Sequence, residues 1–260
     1  MNLKLQNKVV VVTGGAKGIG KGIVEVLAKE GAIPVIIGRS LNDNLATIDE
    51  LKQGGFVAHQ VVAELSKPEE CEQAIKTIFE KLGSIDALVN NAGINDGIGL
   101  ETGNYNGFMA SLHNNLIHYY LLAHYALPAL KMSKGTILNI SSKTAETGQG
   151  NTSGYAAANG GRNALTREWA VELAKYGIRV NAVVVAECYT PLYEKWINTL
   201  PNPQEKLAEI VSKIPFEKRF TTAEEIANMV VFLISPVSSH TTGQIIHVDG
   251  GYVHLDRSML

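Results

Sequence analysis

The run KVVVVTGGAKGIGKG (Lys8–Gly22) decides the fold. Its four consecutive valines are apolar on both faces of an extended chain, which suits the inside of a parallel sheet better than a half-wetted antiparallel one. At Thr13 the apolar run gives way to a turn with glycines at Gly14, Gly18 and Gly20. Residues without side chains permit a tight turn and let phosphate oxygens reach the amides at a helix N-terminus, where the helix dipole favours an anion. A glycine turn alone is weak evidence. Placed after a buried strand and at the opening of a helix, it predicts a nucleotide site.

Working outward, short valine- and isoleucine-rich runs recur at 8–14, 33–38, 56–63, 85–93, 135–141, 178–186 and 243–251. Amphipathic stretches separate them. Met109, Leu112, Leu116, Tyr119, Ala123, Ala126 and Leu130 follow helical spacing. Ser66 with Glu69 and Thr222 with Glu225 have capping-box spacing at two expected helix starts. This alternation predicts an α/β fold: one domain over 1–260, a doubly wound parallel sheet of about seven strands, and helices on both faces. The segment 188–206 contains three prolines and breaks the pattern, so it is expected to be a mobile lid or substrate loop.

Composition excludes several classes. Hydrophobic residues make up 45% and charged residues 18%, with 23 basic against 25 acidic side chains. That balance suggests no nucleic-acid face. Cys71 and Cys188 are too few and too far apart for a disulfide framework or a metal site, which fits a reducing cytoplasm. The N-terminal apolar run leads directly into the glycine turn without a cleavage region, and no run approaches the ~20 residues needed to span a bilayer. The expected partner is a small molecule, with no metal, nucleic acid or membrane.

Further motifs follow in order: NNAG (90–93), Asn115 in NNL, NISS (139–142), Tyr155 thirteen residues after Ser142, IRVNAV (178–183), TPL (190–192) and VDGG (248–251). With the glycine spacing, they resemble the short-chain dehydrogenase/reductase family over essentially the whole chain. NDGIGL, SSKTAETGQGNTSGYAAA, REWA, TTAEEIA, SHTTGQ and GYVHLDR look like its L-fucose-type sugar dehydrogenase subgroup. The resemblance implies a nicotinamide cofactor held by Gly14, Lys17, Gly18, Ile19, Gly20, Arg39, Glu64, Asn91, Ala92, Gly93, Tyr155, Asn159 and Thr190. It also implies a homotetramer, with the tail His254–Arg257 reaching a neighbouring subunit.

The family's NAD-selecting aspartate, at the end of the second strand, is replaced here by Gly38, followed by Arg39 and Ser40. Without that carboxylate, and with Arg39 and Lys17 nearby, NADP is preferred to NAD. Glu64 stands where the family usually has an aspartate against adenine.

For the chemistry, the resemblance assigns Tyr155 as acid/base, Ser142 as hydrogen-bond donor to the reacting oxygen and Asn115 as anchor of a water relay. Asn159 is the departure. The family has a lysine there, one turn after the tyrosine, holding the ribose and favouring phenolate. A free phenol titrates near ~10, so phenolate at neutral pH costs about 4 kcal/mol without help. Asparagine could bond the ribose through its amide but brings no charge, and Asn159→Lys is expected to raise the oxidation rate. The oxidised nicotinamide ring, Lys143 and Arg162 could each compensate, with Lys143 ranked ahead because SSK also occurs in the sugar-oxidising subgroup. Gly160 and Gly161, unfavourable inside a helix, are expected to permit close packing against a neighbour.

Asn95, Lys143, Gln149 and Glu187, with Asp96, Glu146 and Tyr189, lie on segments following strand ends, where open α/β sheets bind ligands. A pocket of such groups suits a sugar or polyol, because each hydroxyl leaving water needs a partner. The expected function is hydride transfer between NADP or NAD and a sugar-like hydroxyl or carbonyl. Reduction of 3-oxoacyl thioesters is the second reading, and a dinucleotide-binding pseudoenzyme or scaffold is the third.

Overall fold

The computed structural model describes residues 2–256, so Arg257 of the tail lies outside the described residues. Seven parallel strands form one sheet in the order β3-β2-β1-β4-β5-β6-β7. Along the chain they are β1 (Val9–Thr13), β2 (Ile33–Gly38), β3 (His59–Val62), β4 (Ala87–Asn90), β5 (Thr136–Ser142), β6 (Arg179–Val185) and β7 (Ile245–Val248). The helices are α1 (Gly18–Lys29), α2 (Leu41–Gln53), α3 (Pro68–Leu82), α4 (Tyr105–Leu112), α5 (His118–Ser133), α6 (Ser153–Ala174), α7 (Pro191–Ile197), α8 (Pro203–Ser212) and α9 (Ala223–Ile234).

β1 bears out the reading of its valines. Val10 and Val12 face a core packed with Ile23, Leu27, Val230 and Val231, whereas Val9 and Val11 face Ile75, Ile78, Leu122 and Leu130 on the other side. The strand is therefore apolar on both faces because helices cover both. β1 also lies between β2 and β4, where the strand order reverses. In open α/β sheets ligands bind at the carboxyl ends of the strands beside such a reversal.

Three local expectations change. Helix α3 starts at Pro68 with Lys67 as N-cap, and the Ser66 hydroxyl donates to Glu64 Oε1 instead. The Ser66–Glu69 capping box is therefore not made, because proline fixes the first helical turn one residue later. The Thr222–Glu225 box is made in both directions. The long helix expected around Leu116 is divided by a π-helical turn at His113–Ile117. Finally, α7 and the start of α8 take up much of 188–206, with Pro191 and Pro203 in their first turns. Proline lacks an N–H and has its φ preset, so it opens a helix as readily as it breaks one.

Candidate active site

The glycine turn has no room for side chains. Gly14 and Gly18 have φ of +64° and +54°, in the left-handed region. A Cβ on Gly20 would lie 2.2 Å from the Gly14 carbonyl oxygen, and one on Gly18 would lie 3.1 Å from Thr190 Cγ2. NNAG closes the other side. Asn91 and Ala92 donate their backbone N–H groups to Thr13 Oγ1 at 2.8 and 2.9 Å, and Asn91 Nδ2 donates to the Thr13 carbonyl at 2.9 Å. The turn, Asn91, Ala92 and Thr190 thus come together from three parts of the chain. Helix α1 has no acidic residue in its first turn and no side chain capping its amides. A cradle that a Cβ would fill, open at a helix N-terminus without a protein anion, fits the phosphates of a dinucleotide.

At the adenosine end, Lys17 pairs with Asp43 at 2.8 Å and Arg39 lies 3.8 Å from Glu64. The Lys17 ammonium, followed by the Ser40 hydroxyl, holds the Asp43 carboxyl below its usual range. Asn44 Nδ2 donates to the Gly38 carbonyl, and a Cβ on Gly38 would lie 2.5 Å from Asn44 Oδ1. Asn44 therefore occupies the space that a side chain at 38 would need.

Ser142 ends β5, buried, with Oγ accepting from Thr144 N at 3.3 Å. Tyr155 is half-buried in the first turn of α6, which packs over β5 and the following turn, Lys143–Ala145. Asn159 ties these elements together. Its Nδ2 donates to the Tyr155 carbonyl at 2.8 Å and to Thr144 Oγ1 at 3.4 Å, while its carbonyl accepts from Ser141 Oγ at 3.3 Å. Asn159 Oδ1 accepts from Arg162 Nη1 at 2.9 Å. Asn159 is fully buried with both ends of its amide engaged within the protein.

Asn115, also fully buried, lies in the π turn. Its Oδ1 accepts from Ile94 N at 2.7 Å, and its backbone carbonyl accepts from Arg162 Nε, also at 2.7 Å. A π turn shifts the local hydrogen-bond ladder and frees a carbonyl for an outside donor. Lys143 forms an ion pair with Glu187 and its ammonium lies 4.1 Å from the centre of the Tyr252 ring, whereas Arg162 is 2% exposed.

Of the four substrate candidates, Lys143 and Glu187 meet, while Asn95 and Gln149 are exposed on separate loops. Those loops touch: Gly154 N donates to the Ile98 carbonyl at 3.2 Å, and a Cβ on Gly99 would lie 3.0 Å from Asn151 Cα. Asp96 accepts from Ser111 Oγ at 3.0 Å. Glu146 turns away to His247 at 3.1 Å, beside a cavity of about 600 Å³ that Tyr155 and Ser142 do not line. Tyr189 belongs to an aromatic cluster with Tyr193 and Phe220 at ring separations of 5.4 to 6.0 Å. Burial and the neighbouring Glu187 carboxylate push the Tyr193 phenol upward. The quoted motifs contain Thr144, Asn90 and Asn139 but gave them no role; the structure links Asn90, Asn139 and Thr166 by buried side-chain bonds of 3.0 and 2.9 Å, and spacing alone gave no signal for Thr166.

Comparisons agree with this geometry. A family model described as enoyl-(acyl carrier protein) reductase matches residues 14–253. The 3-oxoacyl-[acyl-carrier-protein] reductase of Thermotoga maritima is 35% identical over 254 residues, 96% of this chain and 100% of that protein. The L-fucose dehydrogenase of Bos taurus is 32% identical over 252 residues, covering 96% and 91%. The crystal structure of Cj0485 dehydrogenase superposes with a TM-score of 0.94 at 49% identity, covering 99% of this chain and 98% of that one. With the glycine turn on a seven-stranded parallel sheet, the match of the family model over residues 14–253 and relatives above 30% identity place this chain in the short-chain dehydrogenase/reductase family of NAD(P)-using oxidoreductases.

Proposed function

We propose that this protein oxidises a hydroxyl of a sugar or polyol, and reduces the corresponding carbonyl, with NADP preferred to NAD. The observation that carries the reading is the junction of β5 and α6, where Asn159 bonds Thr144, two residues after Ser142, and the carbonyl of Tyr155. Alcohol oxidation removes a hydride from carbon and a proton from oxygen, and the bound nicotinamide supplies the hydride acceptor. The Tyr155 oxygen takes the proton, and the Ser142 hydroxyl donates a hydrogen bond to the substrate oxygen. The partly enclosed Lys143–Glu187 pair offers donors and an acceptor to adjacent hydroxyls. Relatives named L-fucose dehydrogenase support the substrate class. For the cofactor, the exposed Arg39–Glu64 pair is loose and weak, so the guanidinium can turn to a 2′-phosphate. The family suggests a homotetramer.

The relative named 3-oxoacyl-[acyl-carrier-protein] reductase favours the second reading. Steady-state assays on aldoses, polyols and a 3-oxoacyl thioester with each cofactor separate the two. Sugar turnover that Tyr155→Phe lowers by about a hundredfold or more supports the proposal. Turnover of the thioester alone, or tight cofactor binding with no turnover at all, overturns it. Arg39→Ala is expected to lower the NADP-to-NAD preference about tenfold.

A further inference from the structure

Asn159 withholds a positive charge, and the next turn of α6 brings one back. Arg162 is 2% exposed and belongs to none of the ion pairs among the described residues. Its hydrogen-bond partners are all neutral: the carbonyls of Asn115 and Ile140, at 2.7 and 3.1 Å, and Asn159 Oδ1, at 2.9 Å. Its guanidinium carbon lies 4.3 Å from the centre of the Tyr119 ring. Nη2 is buried without a partner.

A buried cation without a counter-ion is costly, and neutral acceptors offset only part of the cost. Such a group is useful where negative charge develops nearby in a reaction. The position of Arg162 fits that use. Helical side chains lean toward the N-terminus, which carries the guanidinium back to the level of Asn159, within a turn of Tyr155. A Cβ on Gly93 would lie 2.9 Å from both Nη2 and Asn115 Oδ1. Gly93 is exposed, so a glycine backbone lies between the unpartnered arm of Arg162 and the outside of the protein, on the NNAG segment after β4. Lys143 cannot serve in the same way, because Glu187 neutralises it.

We propose that Arg162 is the positioning residue that replaces a lysine at 159. Its fork fixes the Asn115 carbonyl and the Asn159 amide, and its charge stabilises the Tyr155 oxygen as that oxygen exchanges its proton with substrate. This deepens the reading of Tyr155 as the acid/base and rests on it. One consequence reverses the expectation drawn from the sequence: Asn159→Lys in the native chain sets a second cation beside the first and brings no gain.

The test is a double-mutant cycle on the full chain, with turnover and apo-protein melting measured for Asn159→Lys, Arg162→Met and both together. Arg162→Met is expected to lower the oxidation kcat about tenfold to a hundredfold, and Arg162→Lys by less. Adding Asn159→Lys to Arg162→Met should restore much of the loss. In the native background Asn159→Lys should lower turnover, because it sets a second cation beside Arg162 and removes the amide that bonds it. It should also reduce the melting midpoint by about 3 °C more there than the same change does in the Arg162→Met chain, where no second cation opposes it. The proposal is overturned if Arg162→Met folds and turns over at the native rate, if the double variant regains nothing, or if Asn159→Lys alone speeds oxidation. If Arg162→Met does not fold, the Arg162→Lys and Asn159→Lys chains decide the matter by the same criteria. The melting cycle needs no substrate, so it still judges Arg162 if the native chain oxidises no sugar and the functional reading alone fails.

Discussion

Gly160 and Gly161 are neighbours in one helix, yet their surroundings differ. A Cβ on Gly161 would meet Leu116 Cδ2 at 2.9 Å, whereas one on Gly160 would meet nothing within 4 Å. The expected close packing therefore belongs to Gly161 alone, where α6 presses against the π turn. Gly160→Ala should raise stability by up to about 1 kcal/mol through helix propensity, while Gly161→Ala should lower it by about 1 to 3 kcal/mol through overpacking. Denaturant midpoints of the two variants check this, and equal effects would contradict the packing. At this scale the motif spacing singled out Ser142, Tyr155, Asn115 and Asn159, and the fold packs α6, which carries Tyr155 and Asn159, against β5, which ends in Ser142. The sequence could not show that Lys143 is paired and that Arg162 bonds neutral acceptors, because the partners are a distant carboxylate at 187 and a carbonyl at 115.

The elements were legible where their signals were local. The valine run and the Thr222–Glu225 box formed as read, while the box expected at Ser66 yielded to Pro68. Helices α7 and α8 were hidden because the prolines there looked like interruptions. Tyr193 on α7 packs against Trp196 at 5.1 Å and Phe220 at 5.4 Å, which pins the helix. Phe220→Ala should loosen that helix. Limited proteolysis between 190 and 206 should speed up severalfold, and the substrate KM should rise more than kcat falls, since an aromatic pair contributes about 0.5 to 1.5 kcal/mol beyond its buried area. Cleavage at the native rate would mean that α7 is held by something else.

For the whole molecule, acid should weaken the fold partly through one residue. His118 is buried beneath the π turn, with Nε2 against the Asn114 carbonyl at 3.0 Å. Burial, and then the nearby Arg162 charge, push its imidazole from 6.5 down to about 3. Its folded value is depressed, so between about pH 6.5 and 3 the unfolded chain binds a proton that the folded chain refuses. Its contribution is complete above about 6.5 and is lost as pH falls through that window. Between pH 7 and 5 the native chain should lose about 2 kcal/mol more than His118→Gln, measured by chemical denaturation at both values. Equal losses would show that this histidine does not titrate as described.

The sequence by itself determined the layered α/β fold and the glycine turn after β1, and it set Ser142 and Tyr155 thirteen residues apart. Those properties depend on the period of apolar residues and on short spacings, which the chain carries locally. Only the tertiary structure decided which nearby cations are paired: Lys143 meets Glu187, whereas Arg162 is in none of the ion pairs among the described residues. Whether a cation is neutralised depends on partners brought from other elements, and burial in a low-dielectric interior sets how much that charge matters.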